Sequence, residues 1–243
     1  MKTIKKQLEN TVRHLDYAKT REILTEHPEL LNAPIDSPSY EMDDEGNWTD
    51  VIDDEPSGYT PLLMALSFGD YKMFKLLIEE FGADVNQGNY ENFTPIFKLS
   101  SSNPLSSSEE KEKTAEDYLN LLYAHNVNVN NPIDIGKTPL MIASQRGNLY
   151  QVKKLLEHGA DANAKDIYGN VFNWMGNYTG DKKDLDEIVK LLVEHGADIN
   201  NKGNIKTALD DALENNDILY EKILRKYGAK DSSFIPDDFL NKT

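Results

Sequence analysis

Residues 133–166 read IDIGKTPLMIASQRGNLYQVKKLLEHGADANAKD, and the punctuation of this stretch decides the fold. Thr138-Pro139 is a helix start: the threonine hydroxyl caps free backbone N–H groups, and proline costs nothing at the first helical position, where no N–H is needed. A short helix is predicted from Pro139 to about Arg146, and Gly147-Asn148 breaks it. A second helix then places Val152, Leu155 and Leu156 on one face. Gly159 ends it in the left-handed conformation, leaving an extended tail with Asp-Ala-Asn. A unit of about 33 residues cannot bury its own apolar faces, so it demands neighbours built like itself.

The rest of the chain supplies them. Gly-Ala-Asp-x-Asn recurs at Gly82–Asn86, Gly159–Asn163 and Gly196–Asn200, with a worn Gly228-Ala229-Lys230 near the end. The long interval between Gly82 and Gly159 divides in two if Asn126 stands in for a glycine, and Asn tolerates the left-handed conformation best after Gly. The opening signal recurs as Thr60-Pro61-Leu62, Thr94-Pro95-Ile96 and a proline-less Thr207-Ala208-Leu209.

On these motifs in register the chain resembles the ankyrin-repeat family over nearly its whole length. The resemblance implies an all-α solenoid of about six helix-turn-helix repeats, with second helices on the convex side, turns projecting as fingers and capping repeats at the ends. As a single domain over 1–243, its repeats fall at 1–35, 58–89, 90–132, 133–165, 166–202 and 203–243. The first is a degenerate cap with Ile4, Leu8, Val12 and Leu15 at three- and four-residue steps, and the tail DSSFIPDDFLNKT is read as the C-terminal cap.

Three places depart from the pattern. Residues 36–57 carry nine Asp or Glu and no Lys or Arg; Glu45-Gly46-Asn47 between Tyr40, Met42, Trp48, Val51 and Ile52 predicts either a solvated acidic loop or a β-hairpin. About eleven extra residues, in the stretch from Ser100, carry Ser106-x-x-Glu109 or Ser107-x-x-Glu110, a capping-box spacing that predicts an early start and a longer second helix. In repeat five, Val171-Phe172-Asn173-Trp174 replaces Thr-Pro-Leu-His, so the first helix is expected to lose its cap, with Trp174 packing on the next repeat. The family's histidine is Leu63, Phe97 and Met141 here, which predicts an apolar stripe and a weaker network between fingers.

Composition limits what the stack does. The 243 residues carry a net charge of −16, which argues against nucleic acid and anionic membranes as partners and allows a basic protein. There is no apolar run of membrane-spanning length, no secretory leader pattern and no cysteine, so cytoplasmic residence, no disulfide and no thiolate metal site are expected. His125, His158 and His195 recur one per repeat, too far apart to share an ion whose His bonds are about 2.0–2.1 Å. No phosphate loop, H-E-x-x-H or G-x-S-x-G appears.

The resemblance therefore implies a monomeric, non-catalytic protein-binding scaffold without metal or cofactor. Its partner would dock on finger tips and first helices, at Tyr59, Tyr90, Phe93, Lys137, Tyr168 and Asn170, with Trp48 extending the stripe. Two alternatives stay open: an acidic inhibitor or immunity-type decoy covering a basic face of another protein, and a metal-dependent enzyme using the acidic insertion.

Overall fold

Thr60, Thr138 and Thr207 hold extended backbone and turn their hydroxyls onto the amides three residues on, accepting from the N–H groups of Leu63, Met141 and Asp210. From such starts come the twelve α-helices of the described residues, which in this computed structural model are 2–35, 39–42, 48–51, 58–101, 109–133, 135–202 and 206–232. In chain order they are α1 (Lys2–Arg13), α2 (Tyr17–Glu26), α3 (Pro61–Phe68), α4 (Tyr71–Glu79), α5 (Pro95–Ser101), α6 (Glu109–Ala124), α7 (Pro139–Arg146), α8 (Leu149–Glu157), α9 (Val171–Met175), α10 (Lys182–Glu194), α11 (Ala208–Glu214) and α12 (Ile218–Lys226). The order is six helix pairs, one per repeat. α6 has 16 residues against nine in α4 and α8, as the longer segment before it predicts. The capping box at Ser106 and the C-terminal tail lie outside the described residues.

Between α2 and α3 the chain forms two strands, β1 (Ser39–Met42) and β2 (Trp48–Val51), paired antiparallel from Ser39 opposite Val51 to Met42 opposite Trp48. The described part of the insertion thus pairs as a hairpin does, one of the two readings the sequence allows.

Apolar faces close on each other within two compact units. One comprises Met1–Ile96 with Glu112–Val127. Its core includes the fully buried Leu8, Val12, Leu63, Phe74 and Leu77, with Tyr118 edge-on to Phe74 at 4.8 Å. Leu15, expected on the apolar face of the cap, instead lies in the turn after α1 with φ 60° and 47% exposure, because the helix stops at Arg13. The other unit comprises Phe97–Lys111 with Asn128–Thr243. Val152, Leu155, Ile188, Leu192 and Tyr220 fill it, and Tyr220 donates its hydroxyl to Phe172 O at 2.7 Å.

The turns are joined by a hydrogen-bond device that the D-x-N phrase builds. Asp161 and Asp198 accept the N–H of the asparagine two residues later, which fixes the turn. That asparagine then reads the next repeat with both ends of its amide. Asn163 Nδ2 donates to Gly196 O at 2.9 Å while its Oδ1 accepts Asp198 N–H at 2.8 Å. Asn130 grips Gly159 O and Asp161 N–H, and Asn200 grips Gly228 O and Lys230 N–H, in the same way. In the first unit Asn32 Oδ1 accepts Asp84 N–H and Asn86 Nδ2 donates to Asn126 O.

Repeat five corrects the sequence reading twice. Its first helix keeps a cap: Asn170 Oδ1 accepts from Phe172 and Asn173 N–H groups, doing with an amide what threonine does with a hydroxyl. The finger network is polar here, since Asn173, at the family's histidine position, donates to Asp211 Oδ2 at 2.8 Å and to Lys206 O at 3.4 Å. Leu63, Phe97 and Met141 are buried, as an apolar stripe requires.

Two substitutions rank the forces. Leu192→Ala, at a site with no exposure, should cost about 2–5 kcal/mol. Asn163→Ala loses two hydrogen bonds in an exposed turn and should cost about 0.5–1.5 kcal/mol. Urea unfolding checks both; an inverted order would contradict the packing described.

Candidate functional site

An aromatic next to the family's histidine position in repeat five organises a surface feature of the second unit. Trp174, on α9, donates its indole N–H to Asp166 Oδ2 at 2.7 Å. The other oxygen of Asp166 accepts the backbone N–H groups of Tyr168 at 2.8 Å and Gly169 at 2.9 Å. One carboxylate therefore pins both the indole and the finger turn that carries Tyr168. The Tyr168 and Trp174 rings meet edge to face, with centroids 5.5 Å apart and planes at 86°.

Lys137 comes to the same ring from the preceding repeat. Its Nζ stands 3.4 Å from the Trp174 ring centroid and donates to Gln145 Oε1 at 2.8 Å. Trp174 thus packs backwards, onto repeat four, where sequence reasoning placed it on the next repeat. Burial lowers the Lys137 ammonium to about 8 from an ordinary 10.5; attraction to Asp166 opposes that, and repulsion from Arg146 adds to it.

Next to the rings is a groove of about 410 Å³, lined by Tyr168, Asn173, Trp174, Asn177, Asp211 and Asn215 together with Gly176. Sequence reasoning missed Asp166, Asn173, Asp211 and Asn215; the signal available was the cluster of amide and carboxylate residues where the repeat pattern lapses.

The expected binding residues scatter in role. Tyr168 is 62% exposed. Lys137 and Asn170 are 6% and 2% exposed, held by the contacts above and by Asn170 Nδ2 donating to Asn201 O. They support the surface from beneath, because the finger packs its first residues against the neighbouring turn. In the first unit Tyr90 is 52% exposed and its ring lies over Gly58, where a Cβ would come within 2.5 Å of it. Tyr59 and Phe93 are half-buried; the Tyr59 carbonyl accepts Ile35 N–H at 2.9 Å. Trp48 pairs opposite Met42 in the hairpin, and its side chain lies outside the described residues.

Among the described residues no group of three or more His, Asp or Glu stands close enough to hold a metal ion, and no helix is long and apolar enough to cross a membrane. His158 and His195 cap the ends of α8 and α10.

Comparisons with known proteins agree with this architecture of helix pairs. The ankyrin repeat family profile matches residues 57–90 and 135–167. This is an ankyrin-repeat protein. A crystal structure of an ankyrin repeat domain from Acinetobacter baumannii superposes with a TM-score of 0.64 at 21% identity, covering 92% of this chain and 98% of that one, a likeness of fold. The ankyrin repeat protein L38 of Acanthamoeba polyphaga mimivirus is 43% identical over 49 residues, 20% of this chain and 26% of the viral one. The chain thus aligns with about a quarter of that relative's length. Ankyrin repeats in general mediate protein–protein interaction and are typically non-catalytic.

Lys137 gives this ankyrin-repeat protein a titratable joint. Between about pH 8 and 10.5 the folded chain has released this proton while the unfolded chain still holds it. The unfolded state binds more protons there, so stability rises with pH, by up to ~1.4 kcal/mol per pH unit. Denaturant unfolding across that window should show the rise in the native sequence relative to Lys137→Met; parallel curves would contradict the buried ammonium.

Proposed function

We propose that the chain is a non-catalytic scaffold that binds a partner protein through the finger and first helix of repeat five, at Tyr168. One observation carries the reading: a large aromatic is left 62% exposed on a turn that two hydrogen bonds to Asp166 hold rigid. Ile167 beside it is 56% exposed. A ring already fixed in place loses little entropy on binding and contributes area together with a polar tip, as binding hot spots do. Tyr90 offers a second exposed ring, on the first unit, and the reading extends to it.

The alternative of an acidic decoy is favoured by the net charge of −16. Salt separates the two: a decoy loses affinity steeply from low to high ionic strength, whereas binding centred on Tyr168 loses less.

Once a partner has been captured and purified, Tyr168→Ala should weaken its binding by more than ~1 kcal/mol with an unchanged melting temperature. Normal binding by both Tyr168→Ala and Tyr90→Ala would refute the finger-tip reading. Deleting residues 36–57 to a short turn should leave the chain folded, because loop length costs little; loss of the helical circular dichroism signal would show that the hairpin is part of the core.

A further inference from the structure

The groove beside Trp174 is too selective in its chemistry to be a mere seam between α9 and α11. Its polar lining holds the amides of Asn173, Asn177 and Asn215 and one formal charge, that of Asp211, and contains no Lys or Arg. Asp211 is half-buried, and one of its oxygens, Oδ2, accepts Asn173 Nδ2 at 2.8 Å, which fixes the carboxylate on the groove wall. Oδ1 takes no hydrogen bond among the described residues. Lys206, in the turn before α11, is engaged by Glu214, with Nζ 2.6 Å from Oε1. Asn177 and Asn215 complete the polar lining, and Tyr168 and Trp174 supply its aromatic part.

We propose that this groove receives an arginine side chain of the partner; the inference rests on the scaffold reading and names the chemistry that the scaffold recognises. A planar cation is what such a lining selects. A guanidinium stacks on an aromatic face, where a quadrupole attracts charge, and its edge presents several N–H donors to a carboxylate and amide oxygens at once. Lysine offers a point charge with no flat face, so it matches only half of the lining. The fold already seats one cation on this indole, with Lys137 Nζ 3.4 Å from the ring centroid. Asp166, bonded to the same indole, opposes the repulsion that Lys137 would exert on an incoming charge. The chain's net charge of −16 draws basic segments toward it.

The test is a titration of ¹⁵N-labelled full chain with Nα-acetyl-arginine amide, followed at the indole N–H of Trp174 and assigned with a Trp48→Phe variant. Matched titrations use the citrulline and lysine amides. The groove as described gives a saturable millimolar shift at Trp174, and affinity lower by about fivefold or more for citrulline, for lysine, and for arginine with Asp211→Asn. Asparagine can keep the bond from Asn173, so that variant stays folded, and its circular dichroism verifies this. Absence of a saturable shift, or equal binding of citrulline or lysine, overturns the arginine groove. If that happens while Tyr168→Ala still weakens partner binding, the scaffold reading stands and the arginine inference alone falls; if Tyr168→Ala and Tyr90→Ala are also silent, both fall.

Discussion

At the ends of repeats three, four and five an asparagine amide takes the carbonyl of the next repeat's left-handed residue and the N–H two positions further on. Neither group has a partner in its own helix, because a helix end leaves its last carbonyls and the following turn unsatisfied. The clamp answers that need across the repeat boundary, so the register of one turn fixes the register of the next. In the second unit it repeats in full at Asn130, Asn163 and Asn200. It also explains why the phrase is D-x-N and not any polar pair. The aspartate oxygen holds the turn by accepting the asparagine's own N–H, and only an amide has a donor and an acceptor side by side.

Clamping the turns sets where function can sit. The helices bury their apolar faces in the core, while the fingers hang from clamped turns and are free to vary. Repeat five uses that freedom. It gives up threonine and proline for an asparagine cap, takes a tryptophan into its first helix, and ties that ring to the finger through Asp166. The cost is a buried ammonium at Lys137, offset by the π face and by Asp166. The gain is an aromatic surface beside a groove lined by Asp211 and three asparagines.

Much of this was legible in the sequence wherever the cause is local. Thr-Pro starts, glycine exits and the substitution of Asn126 for a glycine depend on the backbone of a few residues, and Asn126 does adopt φ 57°. The hairpin was legible because a turn lies between alternating apolar residues. What escaped depends on neighbours. Lys137 and Asn170 occupy finger positions by count, yet the packing of one turn on the next buries both. The link between α9 and α10, residues 176–181, lies on the end of α7, where Thr179 N–H donates to Gln145 O and a Cβ on Gly180 would meet Gly147 Cα at 2.4 Å. The D-x-N phrase was visible as a repeat marker; its role required knowing which backbone groups it faces.

Amide hydrogen exchange of the native chain tests the clamp most directly. The backbone N–H groups of Asp161, Asp198 and Lys230 belong to exposed residues in turns, where an unheld amide exchanges fast, yet each is held by an asparagine oxygen of the preceding repeat. The account predicts protection at these three positions approaching that of the helix interiors in the same repeats, and loss of it at Asp198 alone in Asn163→Ala. Exchange at all three as fast as in an unstructured peptide would contradict it.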